Sequence, residues 1–317
     1  MKILITGSEG SLMQWVIPKL LSQGHDVIGI DNLYRYNKKR GTGYEFHNLD
    51  ILNYHNIEPL FQGCDAVIHA AAKIYGVGGF NLYCADIMGD DISITRNVLK
   101  ASVKHKIKRF VYISSSMVYE TCVQNLTHPV TENMVDDCVM PRTDYGLSKL
   151  VGERLCQAFK KQYDLNYTVW RPFNIITPEE LAESQLGISH VFADFIHNII
   201  EKQLNPIPVI GDGNQIRCFT WIDDVASIVA DWSFADSTLC EAYNICNVEP
   251  VTMRELALKI YQHLRPVTPL NFDHRPSYQN DVRIRVPSVD KLQSLIGNYP
   301  WQNLDKSIKK CIERFEV

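Results

Sequence analysis

The sequence predicts an α/β protein: a doubly wound parallel sheet with a smaller C-terminal lobe. Three observations predict it. Short apolar runs alternate with stretches of helical period through the first half of the chain. Two glycines, Gly7 and Gly10, stand where the first run passes into the first helical stretch. An acid, Asp31, closes the second run. Parallel strands need right-handed crossovers, and ligands of such sheets bind beyond the carboxyl ends of the strands.

The candidate strands are Lys2–Thr6, Asp26–Ile30, Tyr44–Asn48, Ala66–His69, Arg109–Ser114 and Asn166–Trp170. Between the first two, Leu12, Val16 and Leu20 recur at helical spacing, so this segment is a helix with one buried face. Pro18 removes one of its hydrogen bonds. The second half is broken by Pro172, Pro178, Pro206, Pro208, Pro266, Pro269, Pro276 and Pro287. One helix is clear there. Thr252 and Glu255 form a capping box, and Met253, Leu256, Ala257, Ile260, Tyr261 and Leu264 share a face.

The 317 residues are 45% hydrophobic and 21% charged, enough for a core that needs no metal or disulfide. A formal charge of -4 with interspersed signs gives no nucleic-acid or membrane surface. Nine cysteines without a C-x-x-C pair read as reduced thiols. The opening run breaks at Thr6, too short for a signal-peptide core. No apolar run approaches the roughly 20 residues of a membrane helix. The expected compartment is therefore the cytoplasm. The sequons at Asn125 and Asn166 are then chance matches, and ten histidines without paired ligand spacing predict no metal site.

The stretch Thr6-Gly7-Ser8-Glu9-Gly10-Ser11-Leu12-Met13 links a strand to a helix. Glycines 7 and 10 permit a tight turn and close approach to a pyrophosphate, with Ser11 and Leu12 at the positive end of the helix. Asp31, followed by Asn32, can accept hydrogen bonds from an adenosine ribose and would repel a 2′-phosphate, which favours NAD over NADP. Asp50 and Ile51 follow the third strand and read as an adenine contact or, for Asp50, a turn acid. Residues 1–170 form the predicted dinucleotide-binding domain, with segments near 215–246 returning to it. Residues 171–317 mainly form the substrate lobe.

The fifth strand ends in Ser114-Ser115-Ser116-Met117, and Tyr145 and Lys149 follow one helical turn apart. A phenol with an ordinary pKa near ~10 is a poor base. The Lys149 ammonium and a nicotinamide ring both favour its ionised form. Tyr145 can then take a proton from a hydroxyl as hydride leaves the same carbon, with Ser115 holding the oxygen and Lys149 the nicotinamide ribose. A second Y-x-x-x-K, Tyr34 and Lys38, lies after strand two and reads as a solvated turn.

At this point the chain resembles the extended short-chain dehydrogenase/reductases, the nucleotide-sugar epimerase and dehydratase family, whose dinucleotide domain is Rossmann-type. Thr6-Gly7-Ser8-Glu9-Gly10 resembles its T-G-G-A-G, and His69-Ala70-Ala71-Ala72 its H-x-A-A, implying that Ala70, Ala71 and Ala72 line the cofactor. Asn97-Val98-Leu99 resembles its N-V-L helix. Arg171-Pro172-Phe173-Asn174 resembles R-P-x-N, implying a substrate contact at Asn174. Gly211-Asp212-Gly213-Asn214-Gln215-Ile216-Arg217 resembles G-D-G-x-Q-x-R, implying that Arg217 holds the nucleotide diphosphate. Arg275 and Arg283 lie where the family often has another such arginine; Arg283 is carried forward as a substrate residue, with Ser116. The chain departs from the pattern at Met13 (a glycine in the family), Asp91 (an asparagine), Cys218 (an aspartate) and Ile176-Thr177-Pro178. Met13 in particular predicts altered room for the cofactor.

The positions beside Ser115 bear on the reaction. The 4,6-dehydratases carry carboxylates there, and GDP-mannose 3,5-epimerases a cysteine; Ser116 and Met117 supply neither. The resemblance then implies oxidation at carbon 4 of a UDP- or GDP-sugar, with 4-epimerisation through a transient 4-keto sugar as the leading expectation. A net 4-dehydrogenase, a 4-ketosugar reductase and a non-catalytic nucleotide-sugar sensor stay open. A homodimer is also implied, through helices near Asp86–Val103 and Tyr145–Tyr163. The first carries Ile92, Val98 and Leu99; the second carries Leu147, Leu150, Val151 and Leu155.

Overall fold

The computed structural model describes residues 1–121, 128–137, 140–264, 266–278 and 281–315. The sequon at Asn125 falls outside them. Seven parallel strands form the main sheet. Six are β1 (Lys2–Thr6), β2 (Asp26–Asp31), β3 (Glu45–Asn48), β4 (Ala66–His69), β5 (Arg109–Ile113) and β6 (Tyr167–Pro172). The strand Glu241–Ile245 completes it, in the order β3-β2-β1-β4-β5-β6 and then Glu241–Ile245. The order reverses at β1, so the carboxyl ends of β1 and β4 diverge and leave a crevice there.

Both faces of this sheet are covered, which is why its strands read as continuous apolar runs. Ile3 and Ile5 point to one face, among Met13, Val16 and Leu20 of the helix Ser11–Ser22 and Val225 and Val229 of the helix Ile222–Trp232. Leu4 points to the other, with Val98 and Leu99 of the helix Cys84–Lys104 and Cys156 of the helix Asp144–Tyr163. The helix expected from Leu12, Val16 and Leu20 spans Ser11–Ser22 and runs through Pro18, which lies on its exposed side.

β6 extends two residues past its expected end at Trp170. Arg171 is buried and paired with Glu153, so a charged residue continues the strand, and Pro172 aligns with Ile245. The C-terminal lobe is built on a separate core of Phe192, Ile196, Ile199, Leu256 and Ile260. The helix Met253–Gln262 starts with the reciprocal box foreseen, the Glu255 N–H donating to Thr252 Oγ1 at 3.1 Å and the Thr252 N–H to Glu255 Oε2 at 2.8 Å. Three short strands, Pro250–Thr252, Ile216–Cys218 and Ile284–Arg285, bring the arginine-bearing segments up to the crevice.

Candidate active site

The crevice deepens into a cavity of about 590 Å³ between the sheet and the lobe. That size suits a small-molecule site. Gly7, Gly10, Ser11, Leu12, Asp31, Asn32, Asp50, Ile51, Ala70, Ala71 and Ala72 line one half. Ser115, Ser116, Tyr145, Lys149, Asn174 and Arg217 line the other. Arg275 and Arg283 do not reach it.

The floor of the first half is the turn after β1. Gly7 has φ +70°, and a Cβ there would lie 2.7 Å from the Ala71 backbone nitrogen, so only glycine fits against the segment after β4. The Gly10 N–H donates to the Gly7 carbonyl at 3.0 Å and closes the turn under the helix Ser11–Ser22. Met13 stands where a third glycine was expected; its side chain is buried in the sheet-facing core, where the flexible thioether fills space between Ile3, Ile5 and neighbouring helix residues. At the end of β2 the Asp31 carboxylate accepts from Leu33 N–H at 2.7 Å and Glu9 N–H at 3.0 Å. Each oxygen keeps a lone pair for a ribose hydroxyl. Burial raises this carboxyl's pKa, against the pull of those two hydrogen bonds.

Glu9 is a feature that sequence reasoning missed. It is 2% exposed inside the glycine turn. Its carboxylate accepts from the Gly41 N–H at 2.9 Å, the Arg40 N–H and the Tyr44 hydroxyl, tying the loop after β2 to the glycine turn. A glutamate among small residues carries no sequence signal for that role. Tyr34 lies in this loop's turn, largely exposed, its hydroxyl 3.0 Å from that of Tyr75.

In the second half, Glu120 fixes the start of the helix Asp144–Tyr163. Its carboxylate accepts from the N–H groups of Arg142 at 2.9 Å and Thr143 at 2.8 Å, and Thr143 Oγ1 caps the Gly146 N–H at 3.1 Å. Tyr145 and Lys149 then face the cavity from one side of the helix. Lys149 Nζ donates to the Ile113 carbonyl at 3.0 Å and lies 5.8 Å from the Tyr145 ring centroid. Ser115 and Tyr145 line the same part of the cavity. Burial raises the Tyr145 pKa and the Asp91 charge raises it further, while Ser115 and Arg285 oppose them. The acidification of the phenol expected from Lys149 is not among these influences, and burial sets the direction. Lys149 itself is lowered by burial, with Asp91 and Glu153 pulling the other way.

Phe80 and Arg285 are further residues that the sequence did not single out. The Phe80 ring lies flat on Tyr145, centroids 4.5 Å apart and planes 6° from parallel, so it excludes water from one face of the phenol. Its sequence neighbourhood offers only the glycines at 76, 78 and 79 that precede it. Arg285 is the cross-strand neighbour of Arg217. It is 7% exposed, touches the Met117 sulfur and donates to Asn174 Oδ1 at 3.0 Å, while its Nε has no partner. Burial, and then Arg217, pull its pKa down to about 9. Arg217 is held by Asp281, Nη2 to Oδ1 at 3.1 Å. Arg283, the arginine carried forward from the sequence, is instead exposed and lies 3.6 Å from Asp212 on the outer surface. Arg275 is likewise exposed and paired with Asp273. A single residue, Ile284, separates Arg283 from Arg285, and only the pairing of Arg285 with Arg217 tells which of the two faces inward.

The model of the NAD dependent epimerase/dehydratase family matches residues 3–246. The chain belongs to this family. A candidate UDP-glucose 4-epimerase of Methanocaldococcus jannaschii is 32% identical over 228 residues, 71% of this chain and 70% of that protein. GDP-mannose 3,5-epimerase of Arabidopsis thaliana is 28% identical over 313 residues, 98% of this chain and 80% of that protein. The crystal structure of UDP-glucose 4-epimerase from Thermotoga maritima superposes with a TM-score of 0.84 at 23% identity, covering 100% of this chain and 99% of that one.

As a member of the epimerase/dehydratase family the protein is an NAD-dependent enzyme. The cradle agrees with that cofactor: the space a Cβ would fill at Gly7 is closed by backbone, and Asp31 keeps free lone pairs. Among the described residues no group of three or more His, Cys, Asp or Glu could hold a metal ion. No helix among them is long and apolar enough to cross a membrane.

Proposed function

We propose that the protein interconverts the C4 epimers of a nucleotide-linked sugar by oxidising and re-reducing carbon 4. The observation that carries this reading is the grouping of Ser115, Tyr145 and Lys149 on the cavity wall, with serine and methionine at positions 116 and 117. The Tyr145 phenolate oxygen takes the C4 hydroxyl proton, and Ser115 Oγ holds the same oxygen in line. Lys149 Nζ, anchored on the Ile113 carbonyl, keeps positive charge beside the phenol. Gly7, Gly10, Ser11, Leu12, Asp31, Asn32, Asp50, Ile51 and Ala70 to Ala72, with Tyr145 and Lys149, would hold NAD, which would supply the hydride acceptor and donor for carbon 4. Tyr145 returns its proton when the turned sugar is reduced. A 3,5-epimerisation needs a proton-exchanging group near carbons 3 and 5. The Met117 thioether has no proton to exchange, which speaks against that activity of the Arabidopsis relative here.

Arg217 with the neighbouring Arg285 gives the diphosphate two cations, and Asn174 and Ser116 offer hydrogen bonds to the sugar. Arg285 takes the place first given to Arg283. In this reading 1–170 with parts of 215–246 bind the dinucleotide, and the rest of 171–317 binds the sugar nucleotide. The seven described cysteines are all free thiols, which suits the cytoplasm. A second copy pairs through Ile92, Leu147 and Val151, half-buried on two adjacent helices. Val98 and Leu99 do not take part, because both are wholly buried against the sheet.

The test is product NMR after incubation of the purified protein with UDP- and GDP-hexoses. The expected result is a C4 epimer mixture, lost in Tyr145→Phe by at least about a thousandfold. A stable 4-keto sugar with stoichiometric NADH would replace epimerisation with net dehydrogenation. Full activity in Tyr145→Phe would remove the mechanism altogether.

A further inference from the structure

We infer that Asp91 is a positioning residue for the Tyr145–Lys149 pair: its buried carboxylate balances the Lys149 ammonium and sets the pH range in which Tyr145 exchanges its proton. This rests on the redox reading of Tyr145 proposed above and adds a group to it.

Asp91 lies in the helix Cys84–Lys104, is 4% exposed and lines the cavity. Oδ1 accepts the Lys73 N–H at 2.9 Å, and Oδ2 faces Ser148 Oγ at 3.4 Å, on the residue between Tyr145 and Lys149 in the cavity-facing turn. Both partners are uncharged donors, so its negative charge is not consumed by a hydrogen-bonded cation. Lys149 has the complementary problem. Its ammonium is 3% exposed and donates to a neutral carbonyl. A buried charge of that kind needs a counter-charge.

Two carboxylates act on Lys149, Asp91 and Glu153. Glu153 is already gripped by Arg171, with contacts of 2.9 and 2.6 Å, so its charge is spent there. The remaining groups around Asp91 do not replace it. Asp90 is taken by Lys73 at 2.6 Å, and Asp86 lies 3.9 Å from the same ammonium. From β4 and β5, His69 is kept neutral by burial, its pKa pulled down to about 3, and Tyr112 is raised well above its ordinary value. From the C-terminal lobe Arg285 faces Tyr145 and favours its phenolate. Asp91 is thus the uncommitted anion of the cluster. Burial raises its own pKa to about 6, against the pull of Lys149.

The sign of the effect follows. An ionised Asp91 favours the Lys149 ammonium and disfavours the Tyr145 phenolate. Asp91→Asn keeps the shape: its carbonyl still accepts the Lys73 N–H and its amide can donate to Ser148. Removing the charge alone should lower both pKa values and move the whole pH profile toward acid.

The experiment is a titration of tyrosinate absorbance in the NAD-loaded enzyme, each protein read against its own Tyr145→Phe counterpart. The Tyr145 midpoint should fall by about one pH unit in Asp91→Asn, and the acid limb of turnover should fall with it. Ser148→Ala, which removes a hydrogen bond but no charge, should leave the midpoint in place. An unmoved midpoint in Asp91→Asn with an unchanged melting temperature would show that Asp91 only pins the Lys73 loop. Asp91→Ser, also neutral, gives the same reading should the asparagine variant fail to fold. The spectroscopic midpoint is measured whether or not a sugar turns over, so absence of epimerisation bears on the proposed function and not on this inference.

Discussion

Replacing Glu153 by glutamine should destabilise the protein by more than any nearby surface change, because it strands a buried cation. Arg171 and Glu153 are 5% and 4% exposed in their side chains and meet fork to fork, Nε to Oε1 at 2.9 Å and Nη2 to Oε2 at 2.6 Å. Arg171 Nη1 also donates to the Glu132 carbonyl at 2.9 Å, and Ser114 donates to Glu153. Burial works against the charge on Arg171, but Glu153 and then Tyr119 outweigh it and hold the guanidinium above its ordinary range. Breaking such a pair from one side costs about 3–5 kcal/mol, since the survivor keeps its charge without compensation. Unfolding entropy near 2.1 cal/mol/K per residue gives roughly 0.7 kcal/mol per degree for a chain of this length. The melting temperature of Glu153→Gln should therefore fall by about 6 °C, read by calorimetry. Exchanging both residues for a packed apolar pair, Glu153→Leu with Arg171→Met, should recover most of that loss. A single variant melting within about 1 °C of the parent would refute the reasoning, since glutamine would then satisfy Arg171 as well as the carboxylate does.

The remaining predictions are smaller in scope. His69 is held neutral between Thr6 Oγ1 at 2.7 Å and Thr95 Oγ1 at 3.0 Å, and burial pulls its pKa down to about 3. The unfolded chain therefore binds a proton that the folded one refuses, and stability contributed by this site is lost as pH falls from 6.5 toward 3. Denaturant unfolding at pH 6.5 and pH 5 should show the parent losing about 2 kcal/mol more than His69→Gln. Gly7→Ala places a Cβ 2.7 Å from the Ala71 nitrogen at φ +70°. NAD affinity by calorimetric titration should fall by about a hundredfold, and unchanged affinity would remove the cradle from the cofactor site. Light scattering at micromolar concentration should give twice the chain mass, and Val151→Glu should give one.

Much of the fold was legible because parallel strands buried on both faces write themselves as unbroken apolar runs, and the turns between them need glycine. Lys2–Thr6 and Ala66–His69 fall on their expected boundaries for that reason. The misses share a cause. Arg171 looks like the end of a strand until Glu153, eighteen residues earlier, is seen beside it. Glu9 looks like a surface acid until Gly41 and Tyr44 fold back over it. Arg283 and Arg285 are equivalent in sequence; the pairing of Arg285 with Arg217 separates them. Each is a charged side chain whose partner lies far along the chain, and periodicity holds no information about such partners.

The same limit explains why the chemistry is easier to read than the sugar. Ser115, Tyr145 and Lys149 sit on a strand end and one helix turn, positions that local sequence fixes. The roof over them is made by backbone. The Gly76 and Gly78 N–H groups donate to the carbonyls of Ile188 at 2.7 Å and Gly187 at 2.8 Å, joining the segment with glycines 76, 78 and 79 to the C-terminal lobe. A Cβ at Gly76 would lie 2.0 Å from the Ser189 carbonyl oxygen, so that junction admits no side chain. It carries Phe80 onto the face of Tyr145 and fixes how far above the phenol the lobe can stand. Arg35, from the loop after β2, reaches Glu183 of the lobe at 3.0 Å and closes the opposite rim. The height and polarity of the sugar chamber are therefore set where two loops meet. Exchanging residues 183–195 between relatives should change which sugar is turned over and leave the proton-transfer groups unaltered.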